Sequence, residues 1–154
     1  MISYQGECYC QKVTFTCEGE PLFTQICHCE KCREVAASSS RKTDHVGYAY
    51  TAAYLTNHFT IDKGENAIQA ITRNNAKLLL CAICHSLIYG ISLDPSKQGG
   101  IGVNVNNIKL DDPIPDSFKP VRHVWYANHI IEINDNLPKF KDAPKEQFGS
   151  GELL

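Results

Sequence analysis

The sequence has no block of basic residues, no apolar run long enough to cross a bilayer, a single methionine and a single tryptophan. Each shortage excludes something. Fifteen Lys and Arg against 17 Asp and Glu give a net charge of -2 without a basic stripe, which argues against a nucleic-acid partner. The longest apolar run, LLLCAIC, is far too short for a membrane-spanning helix. The opening, MISYQGECYC, has neither the charged start nor the apolar stretch of a signal peptide, so a cytoplasmic protein is expected.

The hydrophobic share of 43% and charged share of 21% are those of an ordinary globular chain. At 154 residues it fits one domain that buries about 70% of its unfolded surface. What stands out is the presence of eight cysteines. In a reducing compartment such thiols do not persist as disulfides, so metal binding or thiol chemistry is the default.

Short apolar runs separated by Gly, Asn and Asp point to a mainly β, antiparallel domain. Val13, Phe15 and Cys17 alternate with polar neighbours, as in a half-buried strand. PLFTQI, YAYTAAYL, HFTID, AIQAI, KLLLC, SLIYGIS and IGVNVN follow as further strands, and VRHVWYANHI has strand-like composition. Residues Glu30 to Ala37 suit a brief helix within an otherwise polar, Ser-rich connection, and KLDDPIPDSFKP, with its three prolines, reads as a loop. The expected organisation is one zinc-binding β domain over residues 1–136 and a polar C-terminal tail, 137–154, packing on that domain or fraying from it.

Seven of the cysteines fall in three groups: Cys8 and Cys10 as C-x-C, Cys27, Cys29 and Cys32 as C-x-C-x-x-C, and Cys81 and Cys84 as C-x-x-C. Two pairs from distant segments complete a closed four-thiolate zinc site, whereas three thiolates leave one position for water or substrate. The partition expected is Cys8, Cys10, Cys81 and Cys84 as a structural staple and the triplet as a second zinc site. The swap, in which Cys81 and Cys84 join two of the triplet, satisfies the spacing as well. Cys17 is explained by its strand alternation as core packing. In an extended chain His28 projects away from its neighbouring cysteines, so it and His85 are read as pocket-wall residues. The strand-like surroundings of His123, Trp125 and His129 place these three in the core.

The stretches GECYCQKVTF, ICHCEKCRE, LLCAICHSLIYG, VNVNNIKLDD and LPKF together resemble the glutathione-dependent formaldehyde-activating enzyme family, also called the centromere-protein-V/GFA family. The resemblance implies an Mss4-like fold with two zinc sites: a structural zinc on Cys8, Cys10, Cys81 and Cys84, and an activity-associated zinc on Cys27, Cys29 and Cys32. It also implies carbon-sulfur lyase chemistry, the joining of glutathione and formaldehyde to S-(hydroxymethyl)glutathione or the reverse. Three positions depart from the family pattern. Gln11 and His85 stand where Gly usually follows the second cysteine of each pair, and Glu34 follows Arg33 where a second basic residue is common. The connection from Ala36 to Val46 is longer than usual.

On this reading a small thiol meets a small aldehyde at the triplet, and Lys31, Arg33, Arg41 and Arg73 are candidate clamps for a thiol's carboxylates, against solvated surface charge as the plainer account. The rival expectations are a non-enzymatic zinc-stabilised protein-binding module and a thiol redox switch using Cys29 and Cys32.

Overall fold

A computed structural model describes residues 1–39, 47–73, 75–97 and 99–154, the side chains of 37–39 excepted. Among these residues, ten strands form two sheets. The smaller holds β1 (Ser3–Glu7), β2 (Thr14–Glu18) and β5 (Phe59–Lys63), all antiparallel, in the order β1-β2-β5. The larger contains β3 (Phe23–Cys27), β4 (Ala49–Leu55), β6 (Ile68–Arg73), β7 (Ala76–Cys81), β8 (Leu87–Ser92), β9 (Gly100–Asn104) and β10 (His123–Val124). Its order is β10-β3-β4-β9-β8-β7-β6, antiparallel except for the β10–β3 pair. This is the mainly β, antiparallel-dominated architecture that the apolar pattern predicts, and it is consistent with the Mss4-like fold that the family resemblance implies.

The core lies between the sheets because their inward positions alternate in register with the pleat. Val13, Phe15 and Cys17 are fully buried against Ala52, Tyr54, Ile88 and Val103 of the larger sheet. Burial pushes the Cys17 thiol up to about 12, so it is a small hydrophobe at neutral pH. Gly6 pairs with Phe15 across β1 and β2, and a Cβ there would lie 2.1 Å from the Phe15 ring. The position is a close-approach glycine.

The apolar run KLLLC is continuous, not alternating, because β7 is covered on both faces. Leu78, Leu80 and Leu87 pack against Val35 of the one α-helix among the described residues, α1 (Glu30–Ser39), while Cys81 faces the inter-sheet core. The helix runs two residues beyond the expected Ala37.

The segment VRHVWYANHI yields only a two-residue strand. At Trp125 the backbone turns left-handed, φ 56°, and enters a 3-10 turn over Tyr126–Asn128. Backbone donors that would extend the strand go instead to residues beyond 136: Trp125 to the Asp142 carbonyl at 2.6 Å and Tyr126 to the Phe140 carbonyl at 3.0 Å. Phe140 in turn bridges to Leu153.

Candidate metal centres and the histidine chain beside one of them

The first cysteine group sits between two tight turns. Cys8 and Cys10 follow β1; Cys81 ends β7 and Cys84 follows it. In each turn the amide after the second cysteine closes onto the carbonyl of the first, Gln11 to Cys8 at 2.9 Å and His85 to Cys81 at 2.8 Å. Closure in that geometry puts both residues in the left-handed region, Gln11 at φ 65° and His85 at φ 62°. These are the two positions where glycine was expected, and the positive φ supplies the physical reason. His85 itself is exposed.

The sulfurs of Cys8, Cys10, Cys81 and Cys84 all lie within 4.8 Å of one another. The fold therefore assembles the N-terminal pair with the second C-x-x-C, and the swapped pairing is not formed. Cys8–Cys10 and Cys10–Cys81 are each 3.6 Å apart. Thiolates at tetrahedral corners, with metal–sulfur bonds of about 2.3 Å, would be separated by about 3.8 Å, so the spacing fits a zinc-sized ion. Cys8 and Cys81 are buried, Cys84 is half-buried and Cys10 is exposed. Burial and neighbouring thiols push Cys8 up to about 12, so a bound cation is what would make a thiolate stable there.

The triplet forms where β3 runs into α1. Cys27 ends the strand, Cys29 precedes the first helical residue and Cys32 lies in the first turn. Their sulfurs also lie within 4.8 Å of one another, with Cys27 buried and the other two half-buried. Cys29 takes the place of an N-cap: the Cys32 amide points to its sulfur at 3.4 Å, and its carbonyl accepts from the Arg33 amide at 2.9 Å. Hydrogen bonds from the Cys27 and Cys32 thiols, then the Cys32 amide and the charge of Lys31, pull the Cys29 thiol far below its ordinary value. Cys27 is driven upward by Cys29 and by burial, and Cys32 by Cys27, Cys29 and burial. Of the three sulfurs, Cys29 is the one that the Cys32 amide and the Lys31 charge favour as thiolate.

His28 does point away from the sulfurs, as an extended chain requires, and it belongs to neither group of clustered ligand atoms. Its surroundings are the feature that sequence reasoning missed. Strand β10 lies parallel to β3, with the His28 amide bonded to the Val124 carbonyl at 3.0 Å, so His123 comes alongside His28. His28 Nε2 is 2.9 Å from His123 Nδ1, and His123 Nε2 is 2.8 Å from Asp135 Oδ2. Both rings are fully buried. Tyr126 packs edge-on to His28 at 4.9 Å, and His129 stacks on Tyr126 at 4.0 Å. Burial, then the His123 and His129 rings and Arg33, press His28 down to about 4.

Partial burial works to raise the Asp135 carboxyl, but hydrogen bonds from Lys139, His123 and the Leu137 amide outweigh it and hold the group down at about 2. His123 is thus buried as expected, yet it is a link in a polar chain and not an apolar filler. Trp125 and His129, also expected in the core, are exposed, because the chain leaves the sheet at Trp125. No signal near residue 135 marked Asp135; the partner is found only when the loop after β10 folds back.

The candidate clamps divide. Arg33 donates from Nε to the His28 carbonyl at 3.2 Å, and Arg73 pairs with Glu34 at 3.5 Å on the surface. Lys31 acts on Cys29 through its charge. Arg41 and most of the long Ala36–Val46 connection lie outside the described residues. No described helix is long and apolar enough to cross a membrane.

Comparison with known proteins agrees with this architecture. No curated protein matches the sequence. A crystal structure of a Rhodobacter sphaeroides protein from a structural genomics programme superposes with a TM-score of 0.54 at 21% identity, covering 71% of this chain and 91% of that one. That likeness is one of fold. The family model described as glutathione-dependent formaldehyde-activating enzyme matches residues 3–128, which include both cysteine groups and the strands that carry them, and the chain belongs to that family.

Proposed function

We propose that this protein is a zinc-dependent carbon-sulfur lyase that joins a small thiol such as glutathione to a small aldehyde such as formaldehyde, or splits the adduct. The observation that carries the reading is the triplet: three clustered sulfurs at a strand–helix junction, with no fourth cysteine or histidine in the group among the described residues. In the proposal Cys8, Cys10, Cys81 and Cys84 hold a structural zinc, and Cys27, Cys29 and Cys32 hold a second one with a position left for substrate. Zinc bound there would lower the pKa of an incoming thiol and so supply a nucleophile near neutral pH.

The chain's own residues set the rest. The start of α1 and the Cys32 amide favour negative charge at Cys29. In the addition a sulfur lone pair forms the C–S bond, the carbonyl π pair moves to oxygen, and the thiol proton ends on that oxygen. A three-thiolate environment is electron-rich, which suits thiol activation better than polarisation of a carbonyl.

A second reading, a thiol redox switch, draws on the same depressed Cys29 thiol beside Cys32. Exchange NMR on glutathione and formaldehyde mixtures separates the two. The lyase accelerates interconversion of free and hydroxymethylated glutathione without moving the equilibrium, and Cys29→Ser abolishes the acceleration. Equal exchange rates with and without the protein would dismiss the lyase.

A further inference from the structure

Of the four arginines, three lie among the described residues, and two of those three are occupied. Arg73 pairs with Glu34 at 3.5 Å, and Arg122 stacks over the Phe23 ring and donates to Gln25 at 3.3 Å. Arg33 is half-buried and has no carboxylate partner among the described residues. A charge that has given up part of its water and gained no counter-ion is ready to take one.

The turn that gathers the triplet also places this guanidinium. Cys29 stands at the cap of α1, and Cys32 and Arg33 follow it by three and four residues, so the three side chains share one face of the helix start. The Cys29 carbonyl accepts from the Arg33 amide at 2.9 Å, and the Arg33 side chain turns back so that Nε donates to the His28 carbonyl at 3.2 Å. That carbonyl belongs to the peptide unit that carries the Cys29 amide, so the guanidinium is held against the backbone that presents a half-buried sulfur. With Nε spent, the edge formed by the two Nη nitrogens remains, and this fork matches both oxygens of a carboxylate.

We propose that Arg33 is the specificity-determining residue of the triplet site, its Nη edge binding a carboxylate of the incoming thiol. This rests on the lyase reading and names its substrate class, thiols that carry a carboxylate. A small aldehyde such as formaldehyde has no charge to offer, so the contact selects the thiol alone. Arginine stays protonated throughout the accessible pH range, so the selection depends on the charge of the substrate and not on the state of the protein.

The test compares glutathione with glutathione diethyl ester, whose carboxylates are masked while its thiol is kept. Each is mixed with formaldehyde and followed by exchange NMR on the full-length, zinc-loaded protein, with every rate referred to the uncatalysed exchange. The wild type favours glutathione by about 10- to 100-fold in kcat/KM, the worth of a charge-assisted bidentate contact. The preference falls on KM, because a carboxylate remote from the reacting carbon is held alike before and during the reaction. Arg33→Gln, which keeps an N–H for the His28 carbonyl, abolishes the preference, and Arg33→Lys retains part of it as a point charge without the fork. Zinc per chain, measured on the same samples, stays at the wild-type value.

A wild type that uses both thiols equally well overturns the clamp and leaves the lyase standing. A preference that survives Arg33→Gln overturns Arg33 as its source. Zinc lost together with the preference makes Arg33 a structural support of the triplet and overturns the clamp as well. No acceleration with either thiol overturns the lyase reading, and the clamp falls with it.

Discussion

Gln11 and His85 show how single residues carry local conformation against their own preference. Each occupies the left-handed region in the turn that closes a cysteine pair. That region costs a residue with a Cβ about 1–2 kcal/mol, partly offset because glycine has more unfolded freedom to lose, by about 0.5–1 kcal/mol. Gln11→Gly and His85→Gly should therefore each stabilise the protein by up to about 1 kcal/mol, read as a higher denaturant midpoint at unchanged slope. A loss of stability in both would contradict the strained-turn account.

Asp135 is the residue with a pH signature. Its pKa is depressed in the fold, so it contributes stability that is complete above the ordinary carboxylate value of about 3.9 and is lost as pH falls through its folded value of about 2. The stability difference between wild type and Asp135→Asn should be constant above about pH 5 and shrink toward pH 2. A difference independent of pH would mean that the His123 and Lys139 contacts do not favour the charged form.

At the level of elements, the two cysteine groups differ in what they join. The four-cysteine group ties the turn after β1 to the end of β7, about 70 residues later, and metal bound there would offset the entropy of closing a long loop. The triplet ties the end of β3 to the helix that already follows it, so it constrains little. Cys81→Ser should unfold the domain or lower its melting temperature steeply, whereas Cys29→Ser should melt close to the wild type. Equal losses would erase the distinction between staple and open site.

Strands β2 to β9 were legible because each is a short apolar or alternating run bounded by Gly, Asn, Asp or polar punctuation, continuous in the case of β7. β10 was not, since its end is set by hydrogen bonds to residues 140 and 142, which are not encoded locally. The same holds in the site. Cysteine spacing names the ligand candidates, but Asp135 acts through a loop return, and a hydrogen bond between His28 and His123, 95 residues apart, leaves no mark on either neighbourhood.

For the whole molecule, two sheets enclose the main core, a second apolar cluster lies under α1, a four-sulfur cluster sits at one set of turns, and a partly buried triplet sits where β3 meets α1. On the proposed reading this arrangement separates stability from chemistry. The proposal therefore turns on metal stoichiometry, and zinc per chain by elemental analysis, with and without glutathione, on wild type and Cys29→Ser is the direct measurement. The account predicts two zinc ions in the wild type, one in a folded Cys29→Ser, and a change in wild-type occupancy or melting temperature when glutathione is added. One zinc in both proteins, with no response to glutathione, would contradict it and leave a stapled β domain without a thiol site.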